Sequence, residues 1–199
     1  MKKYWRILIV LIGTLGIVSF ILDEAIVLNP DSPLHSLHIF KYFTVQSNLV
    51  AVIYFMLLFV LNIDSKNEKW KNLVGGVMIY TTITFLVFAI VLEGLWVEQG
   101  LSLLGSIFLH YINPLLIIGY VVYYRKEFDY KIRDSFAWII YPILYLTFLV
   151  FWGMVTGDFL YPFFQVSEIG VFGLIISIIG LVGLFFVLSF LVVKILSKK

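Results

Sequence analysis

The sequence predicts an all-α membrane protein whose chain crosses the bilayer six times, and three observations carry that prediction. Of 199 residues, 62% are hydrophobic and only 13% charged, where a soluble domain devotes about a quarter to charge. The apolar residues gather into six runs, each close to the roughly 20 residues that one crossing needs. The basic residues fall almost entirely in alternate connections. A single transmembrane domain over 1–199 is expected, with no soluble domain, low-complexity segment or internal repeat.

The first run, Tyr4–Leu22, follows Lys2, Lys3 and overlaps Arg6. It is longer than a signal-peptide core and no small-x-small cleavage site follows, so it reads as a retained helix. The second, Phe43–Ile63, is preceded by a connection in which Ser32-Pro33 and Leu34, Leu37, Ile39 and Phe40 suggest a capped, short interfacial helix. Leu73–Leu92, Leu104–Tyr124, Phe136–Thr156 and Ile169–Val193 complete the set. In the last run Gly170, Gly173, Ser177, Gly180 and Gly183 recur every three or four residues, a stripe that lets two helices approach closely.

Thirteen Lys and Arg lie at the N-terminus, in the second and fourth connections and at the C-terminus, whereas Lys41 alone lies on the other side. Positive residues are retained on the cytoplasmic face, so both ends are expected inside. The opposite connections are acidic instead, with Asp23, Glu24, Asp31, Glu93, Glu98, Asp158 and Glu168. The net charge of +2 and the lack of interleaved basic and aromatic residues argue against a nucleic-acid partner. Membrane lipids are the expected surroundings, and the cell membrane the expected location.

Cysteine is absent, which removes disulfides, thiolate metal sites and a cysteine nucleophile. No nucleophile elbow, phosphate-binding glycine loop or H-E-x-x-H motif is present, and neither a metal nor a cofactor is signalled. His35 and His38 are three apart in the outer connection, but zinc would need further ligands from elsewhere.

His110 stands apart because it falls within the fourth run, about six residues or roughly 9 Å below its outer end. An ionisable residue at that depth is costly and so marks a functional candidate. Pro114 follows at i+4, where proline supplies no amide and crowds the His110 carbonyl. The second run opens with Thr44, Ser47 and Asn48 on one helix face, also entering from the outer side. These residues and Asn113 are expected to border one polar pocket, with Phe43 and Trp96 in its wall.

Phe43-Thr44 with Gln46-Ser47-Asn48, and then His110-x-x-x-Pro114, resemble the androgen-induced and androgen-dependent TFPI-regulating proteins and their bacterial six-pass relatives. Tyr141-Pro142, Tyr145, Gly153, Gly157 and Tyr161-Pro162-Phe163 resemble the bacterial branch. The resemblance runs from the second helix to the fifth outer connection. It implies a membrane hydrolase of fatty acid esters of hydroxy fatty acids, with Thr44 as nucleophile and His110 as base. The chain departs from that pattern at Trp152, where a basic residue is expected, and at Gln165, where an acid is expected. A base normally needs an orienting group, for which Asn48, Asn113 and Glu93 are candidates, and Ser47, Asn48 or Asn113 are candidates to steady an oxyanion. A small-molecule or lipid transporter, or a lipid-binding protein without catalysis, are the alternative classes. The last of these predicts Thr44 and His110 well separated.

The charge asymmetry makes the orientation testable. Cysteines placed at Ser65 and Ser135 are expected to resist an impermeant thiol reagent in intact cells, and one at Ser102 to react. Labelling of Ser65 from outside overturns the orientation.

Overall fold

The computed structural model describes all residues except 29–32, 64–66, 96, 158 and 198–199, and the side chains of all those described except 27, 28 and 33–36. Six helices are long and apolar enough to cross a membrane: Lys2–Ile26, Phe43–Val60, Glu68–Leu92, Gly100–Tyr123, Ile132–Thr156 and Val166–Leu196. No strand is present among the described residues. The chain divides into two compact units, Met1–Phe128 with four of these spans and Asp129–Lys199 with two.

In the first unit, α1 (Lys2–Leu22) continues into a π turn, Asp23–Leu28. The connection beyond it contains a 3-10 helix, Pro33–Lys41, where an interfacial helix is expected; Ser32 lies outside the described residues. Helix α2 (Phe43–Val60) starts sharply because Tyr42 is extended. Gln46 ties that corner down, its amide donating to the Phe40 carbonyl at 2.8 Å. Helix α3 (Glu68–Val87) is capped by Asn67, whose side chain accepts from the Lys69 amide at 3.2 Å, and ends in a π turn, Phe88–Leu92. The fourth span is composite: α4 (Gly100–Ser106), a π turn (Ile107–Ile112) and α5 (Asn113–Tyr123).

Helix α1 holds this unit together. Its Leu8, Leu11, Leu15, Val18 and Leu22 are exposed at helical spacing, as suits a lipid-facing stripe. Gly13 and Gly16 lie on the packed side. A β-carbon at Gly16 would come within 2.5 Å of Leu109, one at Gly13 within 2.9 Å of the Asn113 amide, and one at Gly105 within 3.2 Å of the Gly16 carbonyl. Small residues bring α1 and the fourth span nearly backbone to backbone, a packing mode favoured where no hydrophobic effect operates between helices. Ile17, Ile39, Val45 and Leu109 form a buried cluster at the crossing. At one end of α1, Asp23 accepts from the Ser102 amide at 3.1 Å and so caps α4. At the other, Trp5 donates to the Leu116 carbonyl at 3.0 Å and Lys2 pairs with Glu127.

In the second unit, α6 (Ile132–Thr156) packs on α7 (Val166–Leu196). Gly157 ends α6 with φ 74°, a left-handed C-cap that glycine adopts without strain. Gly170, with φ 68°, breaks the start of α7. Phe159 covers Gly153 so closely that a β-carbon there would meet it at 2.3 Å, and the Tyr145 and Tyr161 hydroxyls are 3.2 Å apart. The expected close approach along the α7 stripe is not seen: a β-carbon at Gly180 or Gly183 would meet nothing within 4 Å.

Gly16→Ala is therefore expected to cost about 1–3 kcal/mol, the range for overpacking, while Gly180→Ala changes stability by less than about 0.5 kcal/mol. Reversible unfolding of each purified variant in mixed micelles measures this. Equal losses would show that α1 is not seated against the fourth span.

Candidate active site

The site starts from a proline. In the π turn the Asn113 amide bonds to the Phe108 carbonyl, five residues back, and the residue that would next reach Leu109 is Pro114, which has no amide. The Leu109 carbonyl is thereby left without a helical donor. Asn48 supplies one, its side-chain amide donating to Leu109 at 3.0 Å and to the Thr44 carbonyl at 2.9 Å. Asn113 donates in turn to the Asn48 side-chain oxygen at 2.8 Å. Ser47 bonds to the Thr44 carbonyl at 3.1 Å and to the Thr84 hydroxyl of α3 at 2.9 Å. Ser47, Asn48 and Asn113 are fully buried, so these bonds replace water that cannot reach them.

This lattice sets Thr44 against His110. Thr44 Oγ1 and His110 Nε2 are 3.1 Å apart across 66 residues of chain. On the other side of the ring, Nδ1 lies 3.2 Å from the Ser106 carbonyl and 2.9 Å from its hydroxyl. A carbonyl only accepts, so this contact favours the proton on Nδ1, the tautomer in which Nε2 presents its lone pair to the Thr44 hydroxyl. Phe88, brought round by the π turn of α3, stacks flat on the imidazole at 3.7 Å. His110 is buried, whereas Thr44 keeps part of its surface open. The fourth span starts at Gly100 rather than Leu104. His110 therefore lies about 15 Å along it, deeper than the run boundaries imply.

The ring's Nδ1 is met by Ser106, which lines the neighbouring cavity together with Glu98. Burial pushes the Glu98 carboxyl above its usual range, with the Asp23 charge adding to the shift and the Ser106 bond opposing it. Neither residue stands out in the sequence by type, although Ser106 sits at i−4 from His110 and shares its helix face. The candidates Asn48 and Asn113 bond to backbone and to each other. Glu93 is exposed and lines a neighbouring cavity.

That cavity, of about 300 Å3, lies between the end of α3 and the fourth span; Phe88, Leu92, Glu93, Glu98, Ser106 and Tyr111 are among its lining residues. Its lining includes Ser106 and Phe88, both partners of His110, and of the residues expected to border one pocket, Ser47, Asn48 and Asn113 are fully buried and joined by hydrogen bonds. Phe43 is buried, and Trp96 lies outside the described residues. His38 is exposed, and the His35 side chain is likewise outside the description.

The amides of Thr44 and Val45 open α2, and Tyr42 before them makes no side-chain cap bond. Neither amide bonds to a described residue. Backbone donors at a helix start, next to a hydroxyl, are suited to a developing oxyanion. The side-chain candidates are less so, because both Asn48 amide hydrogens and the Ser47 hydroxyl are already engaged.

No protein-family model, curated protein or solved structure matches this chain.

Asn48→Ala is expected to destabilise the protein by about 1–3 kcal/mol, the cost of one buried group left unsatisfied, because it strips the Leu109 carbonyl of its donor. The thermal midpoint in detergent measures it. An unchanged midpoint would mean that the carbonyl finds another partner.

Proposed function

We propose that this chain is an intramembrane hydrolase of lipid esters, with Thr44 as nucleophile and His110 as its base. The observation that carries the reading is the 3.1 Å contact between Thr44 Oγ1 and His110 Nε2, with the ring's other nitrogen held by Ser106. A threonine hydroxyl attacks poorly until a base within hydrogen-bond reach accepts its proton. Here the Ser106 carbonyl favours the tautomer a base needs, and the ring lies between Phe88 and Ser106 in a buried setting. The same contact supports this reading over one in which the two residues have separate structural roles.

Thr44 Oγ1 attacks the ester carbonyl as Nε2 takes its proton. The tetrahedral oxygen is met by the Thr44 and Val45 amides. Collapse breaks the bond to the alkoxy oxygen, which leaves with the proton from His110. Water, deprotonated by the same nitrogen, then releases the fatty acid and restores the hydroxyl. Ser106 acts through His110 as a positioning residue.

Fatty acid esters of hydroxy fatty acids are the substrate class that the motif resemblance implies. Glu93 and Glu98 make the 300 Å3 cavity hostile to a second carboxylate, so the substrate's own carboxylate lies away from it, and the ester approaches Thr44 from its open side. With both chain ends inside, as the basic bias favours, the site belongs to the outer half of the cell membrane.

Purified protein is expected to hydrolyse such an ester, and a phosphonate probe to label Thr44. Thr44→Ala removes labelling and turnover with the fold intact. His110→Ala cuts both by at least about 100-fold, the lower bound for general-base catalysis. The double variant is little worse than either, because nucleophile and base act as one unit. Ser106→Ala weakens turnover without abolishing it. Robust hydrolysis by Thr44→Ala, with contaminating esterases excluded, ends the threonine mechanism.

A further inference from the structure

We propose that a second site, remote from Thr44, holds the phosphate of an anionic phospholipid between the start of α1 and the end of α2. A cavity of about 700 Å3 is lined there by Lys2, Lys3, Arg6, Leu58, Phe59, Asn62 and Ile63, with no acidic residue among them. Arg6 is the informative member. It is 8% exposed, and a buried guanidinium ordinarily faces a carboxylate, because desolvating an unpaired charge costs several kcal/mol. Arg6 has none among the described residues. Its Nη1 donates to the Leu58 and Ile63 carbonyls at 3.0 and 3.4 Å, and its Nε to the Tyr120 hydroxyl at 3.4 Å. Those bonds engage Nε and Nη1 but do not balance the charge, and Nη2 bonds to no described residue.

The neighbouring cations leave a positive balance. Lys2 is paired with Glu127, while the Lys3 ammonium rests over the Phe59 ring at 5.3 Å and is otherwise open. Asn62, held at φ 49°, adds a polar side chain to the lining. Arginine and lysine lining one cavity are suited to a phosphate oxygen. The apolar surroundings favour a lipid over free phosphate: Tyr4, Leu8 and Leu11 of α1, with Phe59, Val60 and Leu61 at the end of α2, are exposed beside it. Acyl chains lie along those stripes while the headgroup enters the cavity, as in basic pockets between membrane helices.

The test is native mass spectrometry of the full chain in mild detergent, titrated with phosphatidylglycerol or phosphatidylcholine of matched acyl chains. Phosphatidylglycerol is expected to bind preferentially. Lys3→Gln and Arg6→Gln are each expected to weaken it about fivefold, the equivalent of roughly 1 kcal/mol per interfacial cation, with phosphatidylcholine unaffected. Lys3 is exposed, so its variant folds whether or not Arg6→Gln does. Equal binding of the two lipids, or unchanged phosphatidylglycerol binding by Lys3→Gln, overturns the proposal. Displacement of the lipid by millimolar inorganic phosphate assigns the site to the free ion and overturns it as a lipid site.

Discussion

The Leu109 carbonyl has no helical amide to bond to, and the geometry around the candidate site follows from how that carbonyl is satisfied. In an apolar slab no water serves as substitute, and each unsatisfied backbone group costs several kcal/mol. The donor comes from Asn48 on α2, which fixes the register of α2 against the fourth span. Thr44 lies four residues before Asn48 and His110 immediately follows Leu109. Once that single bond is made, the hydroxyl and the imidazole are neighbours. Asn113 holds Asn48 in place from one side, and Thr84 holds Ser47 from the other.

The π turn that frees the carbonyl also needs room, and α1 provides it by lacking side chains at Gly13 and Gly16. Helix α1 is in turn anchored at both ends: Asp23 caps α4, and Arg6 serves the carbonyls at the end of α2. A membrane protein cannot rely on water-driven collapse to hold its helices. This unit uses glycine contact at the crossing and hydrogen bonds at the ends. The resemblance residues Tyr145, Gly153, Gly157 and Tyr161 have local tasks of the same kind, supporting the turn after α6.

Much was legible in advance where a residue's type restricts its surroundings. Runs of apolar residues read directly as spans, although the ends moved where residues outside the runs, such as Lys2, Glu68 and Gly100, joined the helices. Thr44, Asn48, His110 and Asn113 were legible as a group because polar side chains at helical spacing in an apolar run need partners. Ser106 and Glu98 were not, since one resembles any serine bonding to its own helix and the other any solvated loop acid. The small-residue stripe was read in α7, where five small residues recur, yet the close contact falls at Gly13, Gly16 and Gly105. Spacing shows that a helix face is smooth, not whether another helix lies on it.

By itself the sequence determined the number and order of the membrane-length helices, the place where the fourth must deviate, and the polar residues able to answer that deviation. These are properties of single segments, set by hydropathy, by the proline's missing amide and by periodicity. Tertiary structure decided which donor reaches which acceptor. Asn48 became the brace of the Leu109 carbonyl, Ser106 became a hydrogen-bond partner of His110, and Glu93 and Glu98 came to line a cavity beside them. Those outcomes depend on helix register and crossing, which arise from contacts between segments dozens of residues apart.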